Sequence, residues 1–208
     1  MEFLITLVTS VVLLVFFYYQ DRNKEPVKVL IEAFVLGFAV SLQIDWIQSQ
    51  FKFSTSIFVH AFILAVLVEE GVKLGVLRVT LFRSKYFTEK VDGITYAVFT
   101  SIGFATAENL FIALTVEEAI VRSFTAVPAH ALFAVSMGYY LGWYKFDRQI
   151  KWLVYALVIP VLFHGLYNFL IMSDSSIGII VFIPYMVFLW VRGTIRISRL
   201  NRKVGDKE

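Results

Sequence analysis

The chain of 208 residues contains no cysteine, and charged residues make up only 17% of it. Without cysteine there is no disulfide, no thiolate metal ligand and no cysteine nucleophile. Soluble domains carry roughly 25% charged residues, whereas hydrophobic residues reach 59% in this chain. Apolar stretches recur along it, each near the length of about 20 residues that crosses a bilayer as a helix. The composition excludes an ordinary soluble domain and indicates a membrane protein with several spans.

The sequence also lacks Gly- or Ser-rich linkers, low-complexity tracts and obvious internal repeats. We therefore predict an all-α, polytopic membrane helical bundle that forms one domain over residues 1–191, followed by a basic cytoplasmic tail over 192–208. Hydropathy predicts seven transmembrane helices, at 3–20, 27–46, 54–82, 93–115, 120–146, 152–172 and 177–191.

Lys and Arg are unevenly distributed over the predicted connections. They are frequent in the first, third and fifth connections and in the tail, but the second and fourth connections contain only Lys52 and Arg122, and the sixth contains none. The positive-inside rule then places the N-terminus outside and the C-terminus in the cytoplasm. This topology signal also accounts for the net charge of +3, so no nucleic-acid partner is predicted.

The third predicted span contains "LVEEGVKLGV", in which Glu69, Glu70 and Lys73 interrupt an apolar run. Each ionisable residue at the centre of a span costs about 2.5–3.5 kcal/mol on the insertion scale, so three cost roughly 8–10 kcal/mol. Glu69 and Lys73 are four residues apart and can pair on one helix face, with Glu70 within reach. Hydrophobic residues would be cheaper there, and intramembrane ionisable residues are functional candidates by default.

Three further spans carry isolated polar residues. Glu108 lies in the fourth, His130 in the fifth, and His164 with Asn168 one turn later in the sixth. Counted at 1.5 Å per residue, these groups and Glu69 all lie within a few ångströms of the same depth. We therefore expect them to meet in one interior site.

Small residues suggest where helices approach closely. Gly71 and Gly75 form one G-x-x-x-G pattern beside the acidic pair, and Gly138 and Gly142 form another. Both patterns are typical of close helix contact in membranes.

Two chemistries remain open for this set of side chains. A buried glutamate can act as a general base that deprotonates water, with imidazole and amide groups stabilising an oxyanion. Alternatively, one zinc ion can be held by residues from a candidate set of Glu69, Glu108, His130 and His164, which leaves another glutamate as base. A proton-coupled transporter would also bury such residues, although no pair of matching broken helices is present.

Four motifs resemble those of the PrsW family of membrane proteases. "EEGVK" resembles its E-E-x-x-K motif and "FATAE" its F-x-x-x-E motif, and they are followed by a histidine-bearing span, "PAHALFAVSMGYYLG", and by "HGLYN". The order of the motifs on consecutive spans covers nearly the whole chain. The family is similar in turn to the CAAX prenyl proteases and bacteriocin-processing enzymes, whose second motif usually ends in His where this chain has Glu108.

The resemblance implies a multi-pass protease of the bacterial cell membrane whose partners are the lipid bilayer and a single-pass membrane protein. It implies hydrolysis of a peptide bond near the extracytoplasmic face, as site-1 cleavage of an anti-sigma factor in regulated intramembrane proteolysis. The alternative is a non-catalytic CAAX-protease-like binding or immunity protein. The implied catalytic residues, with Lys73 in support, are Glu69, Glu70, Glu108, His130, His164 and Asn168.

Overall fold

The computed structural model describes residues 2–50, 66–112, 115–172 and 176–205, which are helical apart from short connections. The helices are α1 Glu2–Gln20, α2 Val27–Gln50, α3 Val66–Val79, α4 Asp92–Ile112, α5 Val116–Phe124, α6 Ala126–Asp147, α7 Ile150–Met172 and α8 Ser176–Gly205. A short 3-10 turn at Leu81–Arg83 follows α3. The prediction of an all-α bundle is confirmed.

Five segments of the described chain are long and apolar enough to cross a membrane: Phe3–Gln20, Val27–Ile44, Val116–Asp147, Ile150–Met172 and Ser176–Arg202. The described part of α3 and the whole of α4 are more polar; α4 packs inside the bundle, and α3 buries one face against it. Their polar residues therefore face other helices instead of lipid. The count of seven spans and the orientation of the termini stay predictions.

The predicted span at 120–146 is two helices with a break at Thr125. Thr115 caps α5, since its side chain accepts a hydrogen bond from the backbone N–H of Glu118 at 3.1 Å. Pro128 has no N–H with which to bond the carbonyl four residues earlier, so α5 cannot continue through it. In the first turn of α6 that missing donor is tolerated. The break turns α5 into a separate short helix beside the start of α6.

Two other predicted spans have different bounds in the structure. Within the predicted span 54–82 the described helix ends at Val79, and residues 54–65 of the prediction lie outside the described residues. The last helix continues through Gly205 instead of ending at 191, and Arg196, Ile197 and Leu200 are buried. This part of the predicted tail is thus helical and packed, and the domain division at 191 stays a prediction.

Helix α4 occupies the centre of the bundle, where every residue from 92 to 107 is buried. It packs against α2 through Gly37 and Gly103. A Cβ atom on Gly37 would overlap the backbone of Thr100, and one on Gly103 would overlap the backbone of Phe34. The two backbones are therefore in direct contact.

Helix α6 approaches the other side of α4 in the same way. A Cβ atom on Gly93 would lie 2.6 Å from the carbonyl oxygen of Gly138, and one on Gly142 would overlap the carbonyl of Lys90. In contrast, a Cβ on Gly71 or Gly75 meets no described atom within 4 Å. Of the two G-x-x-x-G patterns, the one on α6 forms a close contact among the described residues and the one on α3 does not.

Buried polar contacts anchor the end of α4 that lies beside the connection between α1 and α2. Asp21 accepts a hydrogen bond from the hydroxyl of Thr95 at 2.9 Å, and Glu25 accepts one from the hydroxyl of Tyr96. Burial raises the pKa of both Asp21 and Glu25. These hydrogen bonds fix the connection to the central helix, and they thereby position the ends of α1 and α2 that the connection joins.

Replacing Gly138 with Ala should destabilise the protein, because the new methyl group would overlap the backbone at Gly93. Overpacking typically costs about 1–3 kcal/mol, and a clash with backbone belongs at the upper end of that range. The measurement is the thermal unfolding midpoint of the purified protein in detergent.

Gly71→Ala and Gly75→Ala are the matched controls, since both lie within a helix and neither new methyl meets a described atom within 4 Å. Alanine is favoured over glycine inside a helix by about 1 kcal/mol, so these variants should be as stable as the parent or more so. A Gly138→Ala variant that unfolds at the parental midpoint would contradict the close contact between α4 and α6.

Candidate functional site

The inner face of α3 carries three ionisable side chains that are almost completely shielded. Glu70 is 0% and Lys73 2% exposed, and Glu69 is also buried. The ammonium of Lys73 donates a hydrogen bond to Oε1 of Glu70 at 2.8 Å and lies 3.9 Å from Oε2 of Glu69. It also lies 4.0 Å from the ring centroid of Phe104 on α4, in cation–π contact. The predicted pairing on one helix face is confirmed.

Two histidines from neighbouring helices complete the cluster. His164 on α7 places Nδ1 2.9 Å from Oε1 of Glu70 and 3.9 Å from Oε2 of Glu69. His130, in the second turn of α6, places Nδ1 3.1 Å from the ammonium of Lys73. The two imidazole rings are 4.7 Å apart, and the ring of Phe133 stacks on His164. The structure thus brings three sequence-predicted helices to one point.

The neighbours of His130 determine which ring nitrogen carries its proton. An ammonium has only donors, so the Nδ1 that faces Lys73 must present its lone pair. The proton of the neutral ring is then on Nε2, which lies 3.0 Å from Oε2 of Glu108 on α4. Glu108 therefore orients His130 from the side of the ring that faces away from Lys73, and the lone pair of Nδ1 points toward Lys73.

The other oxygen of Glu108 is held by Arg122, a residue that sequence reasoning assigned to topology alone. Nη2 of Arg122 donates to Oε1 of Glu108 at 2.6 Å, and its Nε donates to Oδ1 of Asn109 at 3.2 Å. Asn109 in turn donates to Thr6 on α1 and to Ser123 on α5. No pattern in the sequence singles out Arg122, since it lies at the edge of the predicted span 120–146 and close to Glu117 and Glu118.

Four donor groups converge in this cluster, and they fit a metal ion. One ligand atom from each of Glu69, Glu70, His130 and His164 lies within 4.8 Å of all the others. Oε2 of Glu70 is buried and has no hydrogen-bond partner among the described residues. Two imidazoles with carboxylates are a donor set that zinc uses in proteins. A ligating histidine typically has a carboxylate beside its other ring nitrogen, and Nε2 of His130 lies 3.0 Å from Oε2 of Glu108.

The charges of the site also favour a cation. Glu69, Glu70 and Glu108 carry three carboxylates, whereas Lys73 and Arg122 supply two cations. With neutral histidines one negative charge is in excess, and an uncompensated buried charge is expensive. A bound cation or a proton would remove that excess.

The structure places two predicted site residues differently from the rest. Glu108 lies behind His130, with each of its oxygens close to a partner, so it stands outside the four convergent donors. Asn168 follows His164 by one turn on α7 but is only half-buried, and it forms no hydrogen bond with the described residues of the cluster.

A buried centre of two carboxylates and two imidazoles inside a membrane helical bundle fits the class of intramembrane hydrolases, in which protein groups activate water away from bulk solvent. Comparison with known proteins makes the assignment specific. The model of the "PrsW family intramembrane metalloprotease" matches residues 25–192, a range that contains every residue of the cluster.

Curated relatives agree with the family match. The chain is 38% identical over 200 residues to Protease PrsW of Oceanobacillus iheyensis, covering 92% of each chain. It is 37% identical to Protease PrsW of Bacillus subtilis (strain 168), covering 94% of this chain and 93% of the relative. It is 35% identical to Protease PrsW of Clostridioides difficile (strain 630), covering 90% of this chain and 86% of the relative. No solved structure matches the chain.

The chain belongs to the PrsW family of intramembrane proteases. It is accordingly a multi-pass bacterial membrane protein and an enzyme that acts on a membrane protein substrate.

If Arg122 holds Glu108 in place, replacing Arg122 with Gln should destabilise the protein by about 1.5–3 kcal/mol, the range for a hydrogen bond to a charged group. Glu108→Gln should cost a similar amount. The double variant should cost less than the sum of the two, because the second change removes a charge that has already lost its partner. Thermal unfolding of the four proteins completes the double-mutant cycle.

Arg202→Gln is the matched control, since Arg202 lies exposed near the end of α8, and it should change the unfolding midpoint little. Additive effects of the Arg122 and Glu108 substitutions would mean that the two side chains act independently.

Proposed function

We propose that this protease uses one zinc ion and a glutamate base to cut a single-pass membrane protein near its extracytoplasmic face, as the site-1 cleavage of an anti-sigma factor. The observation that carries the proposal is the convergence of Glu69, Glu70, His130 and His164 on one buried point. The choice of an anti-sigma factor and of site-1 cleavage is supported by the motif resemblance.

Glu70, His130 and His164 are the proposed zinc ligands. Glu70 has a buried oxygen without a hydrogen-bond partner among the described residues. The lone pair of His130 Nδ1 accepts from Lys73 in this structure, and it would become available to zinc once Lys73 bonds Glu70 alone. Catalytic zinc sites commonly have three protein ligands and an open position. Zinc held there would supply Lewis-acid polarisation of the scissile carbonyl and of water.

Glu69 is the proposed general base. Its Oε2 lies 3.9 Å from both Lys73 and His164, whereas Oε1 of Glu70 lies 2.8 and 2.9 Å from the same two groups. Because Glu69 lies farther from both groups than Glu70 does, Glu69 is the carboxylate that we assign to accept a proton as the water oxygen attacks the scissile carbonyl carbon. When the C–N bond breaks, Glu69 returns that proton to the amine leaving group.

The remaining charged groups position these reactants. Lys73 holds Glu70 and neutralises one of the two adjacent carboxylates. Glu108, itself held by Arg122, orients His130. Asn168 forms no hydrogen bond with the described cluster residues, so its proposed role is limited to contact with the substrate or with water.

The position of the site suits a cut near one membrane face. Glu108 lies four residues before the end of α4, and His130 four residues after the start of α6. At 1.5 Å per residue, both lie about 6 Å from those helix ends. The short helix α5 connects this end of the bundle, which is the outer end in the predicted topology.

Glu69→Gln should abolish cleavage while leaving the protein folded, because glutamine is nearly isosteric and removes a buried charge. Loss of a general base typically lowers the rate by about 10²–10⁴. The measurement is a blot for cleavage of a co-expressed single-pass anti-sigma factor, with a parallel blot for enzyme abundance, and mass spectrometry of the product locates the cut.

Glu117→Gln is the matched control, since it makes the same change at an exposed position of α5; it should cleave normally. Normal cleavage by Glu69→Gln would refute the role of Glu69. A cut in the cytoplasmic part of the substrate would refute site-1 cleavage without affecting the assignment of the base.

Metal analysis separates the two glutamates. The purified wild-type protein should contain about one zinc ion per chain, as expected for a three-ligand catalytic site, and chelation should stop cleavage until zinc is restored. Glu69→Gln should keep the metal, whereas Glu70→Gln and His164→Gln should lose most of it. The measurement is elemental analysis of the folded protein after size-exclusion chromatography.

Equal metal content in the Glu69 and Glu70 variants would contradict this division of roles. If the wild-type protein contains no metal and still cleaves after chelation, the zinc mechanism is wrong and a glutamate activates water directly.

A further inference from the structure

A groove runs between α6, α7 and α8, away from the cluster described above. It encloses about 760 Å³. Arg192, Arg196 and Arg199 of α8 line it, and their spacing of four and three residues places them on one helix face. None of the three forms an ion pair with a carboxylate in the part of the chain that the structure describes. The groove is therefore basic and lacks an internal counter-charge.

Two of these arginines have buried N–H groups with nothing to bond. Arg196 is only 7% exposed; its Nη2 donates to the hydroxyl of Tyr140 at 2.9 Å, while its Nη1 is buried without a hydrogen-bond partner. The Nε of Arg192 is likewise buried and unpartnered among the described residues. Buried polar groups are normally satisfied, so these donors indicate an acceptor that binds from outside the chain.

Aromatic rings fix the two guanidinium groups in place. Arg196 lies 4.8 Å from the ring centroids of both Tyr139 and Tyr140, and Arg192 lies 5.3 Å from that of Phe163. Cation–π contacts of this kind orient a guanidinium. Because the planar fork matches a phosphate or carboxylate, the preferred ligand is an oxyanion.

The other part of the groove is apolar, and this distinguishes a lipid from a soluble anion. Val187, Phe188 and Val191 precede the arginines on α8 and line the same groove. Trp152 lines the groove as well, and tryptophan is typical of the level where headgroups meet hydrocarbon. The groove thus passes from an apolar surface to a basic one along a single helix.

We propose that this groove binds an anionic phospholipid. Its phosphate pairs with the guanidinium groups of Arg192 and Arg196, which turn their unpartnered N–H groups toward it, with Arg199 nearby at the exposed end. One acyl chain lies along Val187, Phe188 and Val191. Basic pockets between membrane helices bind anionic headgroups in this way. The site is separate from the proteolytic centre and does not depend on its mechanism.

The test is native mass spectrometry of the full-length protein after incubation with equal amounts of phosphatidylglycerol and phosphatidylcholine carrying identical acyl chains. Wild-type protein should retain phosphatidylglycerol at least about tenfold over phosphatidylcholine, because both lipids carry a phosphate but the choline cation cancels its charge, and the attraction of a net negative lipid is worth about 1 kcal/mol for each nearby Lys or Arg. Equal retention of the two lipids would overturn the proposal, and this measurement needs no variant.

Variants locate the site. The double variant Arg192→Gln/Arg196→Gln should reduce the preference for phosphatidylglycerol by about tenfold or more. The control Arg202→Gln makes the same kind of substitution at an exposed position of the same helix and should keep the preference. If the double variant does not accumulate, the single variant Arg199→Gln at an exposed position replaces it and should weaken retention measurably. The same loss in the Arg202 control would show nonspecific attraction and overturn the assigned site.

A competition experiment separates a lipid from a free phosphate. Inorganic phosphate and glycerol 3-phosphate in large excess should leave the retained phosphatidylglycerol in place, because neither fills the apolar part of the groove. Displacement by either would overturn the lipid proposal and leave a site for soluble anions.

Discussion

The ammonium of Lys73 is the group on which the buried site depends. It lies among Glu70, Glu69 and His130, with the ring of Phe104 against it. Removing one partner of a buried ion pair leaves an unpaired charge and typically costs about 3–5 kcal/mol. The carboxylates could not be buried side by side without this ammonium, and the lone pair of His130 would have no reason to face inward.

A second layer of charge supports the first. Glu108 and Arg122 form an ion pair behind His130, and Asn109 links that pair to α1 and α5. The geometry of the reacting groups is thus set by side chains from helices that contribute no convergent donor. Such support is usual around metal-binding histidines, whose orientation depends on the partner of the second ring nitrogen.

Much of the site could be predicted from the sequence, because a charge inside an apolar span is visible without a structure. Glu69, Glu70, Lys73, His130 and His164 were found in this way, and they meet. The inward position of Arg122 could not be predicted, because it depends on the break at Thr125, which turns a predicted span into two helices.

The same limit applies to the glycines and to Asn168. The two G-x-x-x-G patterns are alike as sequence, but only the pattern on α6 contacts another described backbone closely. Which face of a helix meets a neighbour depends on how all the helices pack, and one sequence pattern does not contain that information. Asn168 likewise shares a helix with His164 but not its contacts.

The backbone contacts around α4 restrict how the protein can move. Where α2 and α6 touch α4 at Gly37, Gly93 and Gly138, sliding or rotation would drive backbone atoms into one another. These three helices therefore behave as one rigid unit. Helices α3 and α7, which carry the two glutamates and His164, meet that unit through side chains, and side-chain packing tolerates small shear movements. A movement that admits a substrate would therefore be easier for α3 and α7 than for α6 and α4, which carry His130 and Glu108.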